Sequence, residues 1–218
     1  MTAAGVVTVI SNVALLLPAY TAWRFGRIFR TFIYFTEAFV SALYHLCDYS
    51  GACLFSFSML YYLDFFFAQL MIIDCGLYLI DFKKRYRWIE WLLFFIGMLV
   101  LYILLGTVGS GQLYVQAAIV GAMLLIDIFY WFVWGVPAYD WYFMTLGLSL
   151  IGGSVMLFSV QTAYPPTYWA THSLWHITAS IGRHYLFYIK SPVSIIENAA
   201  ARISGKTMTR INWRAMRF

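Results

Sequence analysis

The chain has 218 residues, of which 63% are hydrophobic, 21% aromatic and only 11% charged. A soluble globular domain carries about 25% charged residues, so this composition excludes that class and indicates a membrane protein. The net charge of +5 does not indicate a nucleic-acid partner, because basic residues of membrane proteins collect where they face anionic lipid.

Seven apolar stretches are each long enough for a helix to cross a bilayer, which takes about 20 residues. Continuous apolar runs of this length predict helices, since the strands of a membrane barrel are shorter and alternate in hydrophobicity. The predicted fold class is an all-α membrane protein with a seven-transmembrane helix bundle in residues 1–190 and a basic cytoplasmic tail in residues 191–218. The predicted spans are 3–23, 31–47, 58–82, 88–106, 113–135, 142–160 and 168–190.

The basic residues predict the orientation of the bundle. Arginines and lysines follow the first, third and seventh spans, whereas the N-terminal segment and the connectors after spans two, four and six have none. Because positive charge near the ends of spans stays on the cytoplasmic side, we expect the N-terminus outside and the C-terminus in the cytoplasm.

Three histidines and a carboxylate from three spans are predicted to lie at similar depth, under the outer surface. His45 lies near the outer end of span two, Asp64 in the outer third of span three, and His172 and His176 in the first turns of span seven. Ionisable groups at membrane depth are costly and mark function or a buried partner. His172 and His176 are four residues apart, which places them on one helix face.

This spacing is typical of a metal site. Three neutral imidazoles, His45 with the pair on span seven, leave one tetrahedral position open for water, as in zinc sites that are not purely structural. Ser41 shares the face of His45, and Asp64 could accept a hydrogen bond from that water or orient a histidine. The alternative is that each histidine is only an interhelical hydrogen-bond partner, which is the more common situation for a single histidine in a membrane.

Other polar residues within the spans leave two interpretations open. Glu37, Asp74 and Asp127 either line a polar cavity that continues from the site or are protonated and hydrogen-bonded. Cys47 and Cys53 flank an outer connector, where they form a disulfide in an oxidising compartment or remain two free thiols.

The stretches SALYH and LCD in span two, LDFFF in span three and HSLWH in span seven resemble the motifs of the alkaline ceramidase and adiponectin receptor superfamily. The resemblance implies seven helices around a zinc ion. In this chain its ligands would be His45, His172 and His176, with Ser41 and Asp64 close by as the motif's serine and aspartate.

Within that superfamily, residues 34–82 are most similar to the myomakers of the transmembrane protein 8 family, the muscle fusogens of chordates. The similarity lies in the His-x-Cys-Asp order that starts at His45, in a second cysteine at Cys53, and in Asp81 with Phe82. It implies a multi-pass plasma membrane protein that promotes myoblast fusion, with membrane lipids and the facing cell membrane as partners and a homodimer as one expected assembly. Vertebrate myomakers end in lipidated cysteines, which this tail lacks.

A second function fits the same residues. An intramembrane lipid hydrolase would use zinc to activate water against a lipid amide or ester. Ser41 and Asp64 would then be catalytic residues, with Asp64 accepting the proton of the water and Ser41 binding the oxyanion. The sequence does not decide between a catalytic and a structural metal.

Overall fold

The computed structural model describes residues 2–80, 82, 86–108, 113–137 and 139–189, and it forms helices with no strand in that part of the chain. The all-α prediction is therefore confirmed for these residues. The predicted basic tail at 191–218 lies outside them. The helices are α1 (Ala3–Ser11), α2 (Leu16–Arg24), α3 (Ile28–Ser50), α4 (Phe57–Leu79), α5 (Arg87–Val108), α6 (Leu113–Trp134), α7 (Trp141–Ala163) and α8 (Tyr168–Leu186).

Four helical segments of the described chain are long and apolar enough to cross a membrane by length and composition. They are Ala3–Arg24, Phe57–Leu79, Ala117–Trp134 and Trp141–Gln161. A shorter apolar segment, Trp88–Leu104, lies within α5. Helices α3 and α8, which carry the three predicted histidine ligands, are less apolar than these segments. The apolar helices indicate a membrane protein, while the count of seven spans and the orientation stay predictions.

The first predicted span is not one continuous α-helix. A 3₁₀ turn at Asn12–Leu15 separates α1 from α2. Pro18 accounts for part of this break, because its ring clashes with the carbonyl four residues earlier, at Ala14, and it has no N–H to donate. The side-chain amide of Asn12 also donates to the carbonyls of Thr8 and Val9.

Helix α4 lies at the centre of one half of the bundle, where it packs against α3, α5 and α6. In the other half, α8 packs against α7 and against α1 and α2. Glycines allow the close approach of α7 and α8: a Cβ added to Gly182 would lie 2.9 Å from the Gly147 carbonyl oxygen. Small residues of this kind let membrane helices approach closely, and here they fix the position of α8, which carries two of the predicted site histidines.

The connector between α3 and α4 is held at both ends. Gly51 terminates α3 with φ of 71°, a left-handed conformation that glycine adopts without steric cost. The Ser56 side chain accepts a hydrogen bond from the Met59 N–H and so caps the start of α4. A disulfide joins Cys47 to Cys53, so the structure contains the bridged form of the two alternatives.

Candidate metal centre

The structure brings together the three histidines that the sequence predicts as metal ligands. His45 comes from α3, and His172 and His176 come from successive turns of α8. All three are buried, with exposures of 0%, 3% and 0%. One ligand nitrogen from each lies within 4.8 Å of the others. This cluster, called the histidine cluster below, is close enough to hold one metal ion.

The ring nitrogens of the histidine cluster are only partly hydrogen-bonded to the described residues. The Nε2 atoms of His45 and His172 are 2.9 Å apart. The Nε2 atom of His176 is buried and has no hydrogen-bond partner among the described residues, and the same is true of His45 Nδ1. A buried polar atom without a partner costs about 1 to 3 kcal/mol, which a metal bond to the nitrogen lone pair would offset.

Hydrogen bonds from residues of α7 and α1 determine which ring nitrogen of each α8 histidine is free to bind a metal. Gln161 Oε1, from α7, lies 3.0 Å from His172 Nδ1 and accepts its N–H. Ser11 Oγ, from α1, lies 3.0 Å from His176 Nδ1. Because the Ser11 hydroxyl donates its hydrogen to the Thr8 carbonyl at 2.7 Å, its oxygen accepts from His176.

Both α8 histidines therefore carry their proton on Nδ1 and present the Nε2 lone pair to the cluster. A hydrogen bond on the outer nitrogen is the usual way in which proteins orient metal-binding imidazoles. The donor set fits a metal such as zinc, since three neutral imidazoles suit Zn, Cu, Fe or Ni. The fit supports a metal ion without deciding which one.

Ser41 and Asp64, the serine and aspartate of the motif, are both buried, with exposures of 0% and 6%. Ser41 lies one turn from His45 on the same face of α3, and Asp64 lies on α4. No hydrogen bond of standard geometry reaches Ser41 Oγ among the described residues. Their roles at a bound metal stay predictions.

Asp64 does not orient a histidine, which was one of its two predicted roles. The Nδ1 atoms of His172 and His176 are taken by Gln161 and Ser11, and His45 Nδ1 has no partner in the described chain. The other role of Asp64, at a bound water, stays a prediction.

The other carboxylates within the predicted spans differ in their burial and in their partners. Asp74 forms an ion pair with Arg30, so it belongs to a separate polar cluster. Both carboxylate oxygens of Glu37 are buried without a hydrogen-bond partner among the described residues. Asp127 is buried at 1% exposure. His184 is hydrogen-bonded to Thr21 and takes no part in the histidine cluster.

Ser11 and Gln161 are the residues that sequence reasoning missed. Ser11 lies inside the first predicted span, in the run VTVISNV, and Gln161 directly follows the sixth predicted span, in the run LFSVQTA. A search for every polar residue at the depth of the histidines would have found them, because such residues need partners in an apolar environment.

The comparison with known protein families covers the whole of this site. A family model described as a protein of unknown function, DUF3522, matches residues 1–177. This range includes Ser11, Ser41 with His45, and both histidines of α8. No curated protein matches the chain. Because the match extends over most of its length, the chain belongs to the DUF3522 family, whose function is unknown.

Proposed function

We propose that this protein is a myomaker-like, seven-span protein of the plasma membrane that promotes cell–cell fusion, with zinc held by His45, His172 and His176 near the extracellular leaflet. The observation that carries the proposal is the histidine cluster. Its three histidines come from distant parts of the chain and belong, together with Ser41 and Asp64, to the set of residues on which the resemblance to the superfamily rests.

The charge pattern supports the outer location of the histidine cluster. His45 is near the end of α3, and His172 and His176 are near the start of α8. The opposite ends of the same helices carry Arg30 and Arg183. By the positive-inside rule the arginine end faces the cytoplasm, which leaves the histidines on the outer side. The domain organisation proposed is one bundle in residues 1–190 with a cytoplasmic tail.

For fusion, the role of the site would be to make the outer end of the bundle rigid. His45 belongs to α3 and the other two histidines to α8, while Ser11 and Gln161 connect them to α1 and α7. Four helices therefore converge on one centre. A bound zinc ion would supply strong bonds between α3 and α8, and the outer surface of the bundle would then act on the facing lipid layers.

A two-colour cell-mixing experiment in non-fusing fibroblasts tests the proposal. Wild type is compared with His172→Ala and Asp64→Asn at matched surface expression, and His184→Ala serves as the matched control because it removes an α8 histidine outside the cluster. We expect lipid and content mixing with wild type and His184→Ala and none with His172→Ala. Fusion by Asp64→Asn would indicate a structural metal, whereas wild-type cells that exchange neither lipid nor content would overturn the fusion proposal.

A zinc-dependent lipid hydrolase is the second candidate, and the buried pair of Ser41 and Asp64 favours it. Zinc when bound would activate water as a nucleophile. In this proposal Asp64 would accept the proton of that water, and the Ser41 hydroxyl has no hydrogen bond of standard geometry to the described residues that would prevent it from donating to a developing oxyanion.

Lipid analysis distinguishes the hydrolase from the fusogen. Membranes of cells that express wild type, His176→Ala or Ser41→Ala are compared for free fatty acids and for lipids that have lost an acyl chain. A product that requires both His176 and Ser41 is expected of a hydrolase. Identical lipid profiles in all three, together with fusion by wild type, would remove this candidate.

A further inference from the structure

A small polar cavity of about 130 Å³ lies between the first turns of α3 and α5 and the last turns of α4. Four charged side chains line it: Arg27 and Arg30 at the start of α3, Asp74 from α4 and Glu90 from α5. None of the residues of the candidate metal centre contributes to its wall. The volume equals that of about four water molecules in the liquid, so the cavity suits a small polar group and not an acyl chain.

The positive side of the cavity comes from α3. The Arg30 side chain is 10% exposed and forms two ion pairs, from Nε to Asp74 and from Nη2 to Glu90, each 2.7 Å long. Its third nitrogen, Nη1, donates to none of the described residues. Arg27 lies on the same side, and α3 begins at Ile28 without a side-chain cap. Because the first N–H groups of a helix have no partner within it, this side offers positive charge and hydrogen-bond donors.

The negative side of the cavity comes from α4 and α5. Asp74 uses both of its oxygens, since Arg30 donates to one and the Tyr34 hydroxyl to the other. Glu90 uses only Oε1, and its Oε2 accepts no hydrogen bond from the part of the chain that the structure describes. A carboxylate has about four lone-pair sites. Glu90 therefore has acceptor capacity left for a cationic donor, and hydrogen bonds of that kind are the strong ones.

Exposed aromatic side chains surround the cavity on its lipid side. The Phe29 ring meets Trp91 and Phe94 edge-on, with ring centroids 5.0 and 5.2 Å apart. Trp91 is 45% exposed, and tryptophan favours the level of the lipid headgroups. The next turns of α3 and α5 expose Phe32 and Phe95, which are apolar surface for acyl chains. By the positive-inside rule this end of the bundle faces the cytoplasm, so the headgroups it meets are those of the inner leaflet.

We propose that this cavity binds the headgroup of phosphatidylethanolamine, with the phosphate at Arg30 Nη1 and the start of α3 and the ammonium group at Glu90 Oε2. Two arginines and two carboxylates line the cavity, so its formal charge is zero and a zwitterion leaves it balanced. An ion of one sign would not. The ethanolamine ammonium carries hydrogens to donate to Glu90, whereas the trimethylammonium of choline carries none. This site is independent of the metal centre and of the fusion proposal.

Native mass spectrometry of the purified full chain tests the lipid class. The protein is exchanged into detergent with phosphatidylethanolamine, phosphatidylcholine or phosphatidylglycerol of the same acyl chains, and the retained lipid is counted. We expect the wild type to bind phosphatidylethanolamine about ten-fold more tightly than phosphatidylcholine, which corresponds to one hydrogen bond to a charged group. Equal retention of the three lipids, or a preference for either of the other two, would overturn the proposal.

Glu90→Gln separates a headgroup site from a purely structural ion pair. The substitution leaves two arginines against one carboxylate in the cavity wall, a net charge of +1, so we expect the preference to move from phosphatidylethanolamine to phosphatidylglycerol. If Glu90 only holds Arg30 in place, the variant loses stability and keeps the lipid preference of the wild type. That outcome would contradict the assignment. Elution volume and helix content report whether the variant is folded.

Trp91→Ala is a second variant that leaves the ion pairs intact, and Trp88→Ala is its matched control. Trp88 is 61% exposed on the same helix and does not line the cavity. We expect weaker retention of phosphatidylethanolamine in Trp91→Ala alone, and equal retention by the two variants would exclude the site. Displacement of the lipid by an equal concentration of soluble glycerophosphoethanolamine would exclude a lipid as the occupant. A lipid-free dimer that only Trp91→Ala disrupts would also overturn the proposal, since a second copy would then cover this surface.

Discussion

Two buried polar clusters lie at opposite ends of α3, and they differ in how completely their atoms are paired. In the cluster at the start of α3, called the ionic cluster here, Arg30 Nε donates to Asp74 at 2.7 Å and Arg30 Nη2 donates to Glu90 at 2.7 Å. The Tyr34 hydroxyl donates to the second oxygen of Asp74, also at 2.7 Å. In the histidine cluster, by contrast, His176 Nε2 and His45 Nδ1 have no hydrogen-bond partner in the described chain.

The difference indicates different functions for the two clusters. The ionic cluster joins α3, α4 and α5 and satisfies its charges within the protein, as expected of a structural contact. The histidine cluster joins α3 and α8 but leaves the Nε2 atom of His176 unpaired among the described residues, as expected of a site that holds a ligand. Buried polar atoms are nearly always paired in folded proteins, and the unpaired Nε2 atom of His176 lies within reach of two further imidazoles that could share a metal ion.

The largest expected effect is on metal content. His176→Ala removes one of three imidazoles, and we expect bound metal to fall from about one ion per chain to background, as a site with three protein ligands predicts. Elemental analysis of purified protein measures this, with His184→Ala as the control that keeps its metal. Stoichiometric metal in His176→Ala, or none in wild type, would show that the histidine cluster is only a set of hydrogen bonds.

Breaking the ionic cluster should affect stability and leave metal binding unchanged. Arg30→Met leaves the buried carboxylate of Asp74 without its cation, which typically costs about 3 to 5 kcal/mol of unfolding free energy. Unfolding in mixed micelles measures the loss. The double variant Arg30→Met with Asp74→Asn should recover part of it. If the double variant is as unstable as the single one, packing rather than charge is the cause.

The orienting residues of the histidine cluster should have a smaller effect. Ser11→Ala and Gln161→Leu each remove the acceptor that holds an imidazole in place, and we expect about ten- to a hundred-fold weaker metal binding. Competition with a chelator measures the affinity. Ser159→Ala is the matched control, since its hydroxyl donates to the Val155 carbonyl within α7. Affinity equal to wild type in both variants would show that other contacts orient the histidines.

The smallest effect is expected at Glu37. Neither of its oxygens accepts a hydrogen bond from the described residues, so Glu37→Gln removes no such bond. We expect a change in unfolding free energy below about 1 kcal/mol, the typical net contribution of one hydrogen bond, because glutamine has nearly the same shape as glutamate. A loss of several kcal/mol would instead indicate that Glu37 is ionised and balances the nearby charge of Arg183.

The bounds of the helices and the shared helix face of the α8 histidines could be predicted from the sequence, because both depend on local patterns. Apolar runs predicted α3 to α8 to within a few residues, since a buried backbone in lipid must form its own hydrogen bonds. The four-residue spacing of His172 and His176 placed them on one face of α8. The break at Asn12–Leu15 was missed, although Pro18 signals it.

The sequence by itself indicated that the chain is helical, that it has the composition of a membrane protein, and where along each helix its few ionisable residues lie. Only the tertiary structure decided which of these residues meet. It paired Arg30 with Asp74, 44 residues away, and Ser11 with His176, 165 residues away. Such contacts depend on how whole helices pack and rotate against one another, and no local pattern in the chain encodes the rotation of a distant helix.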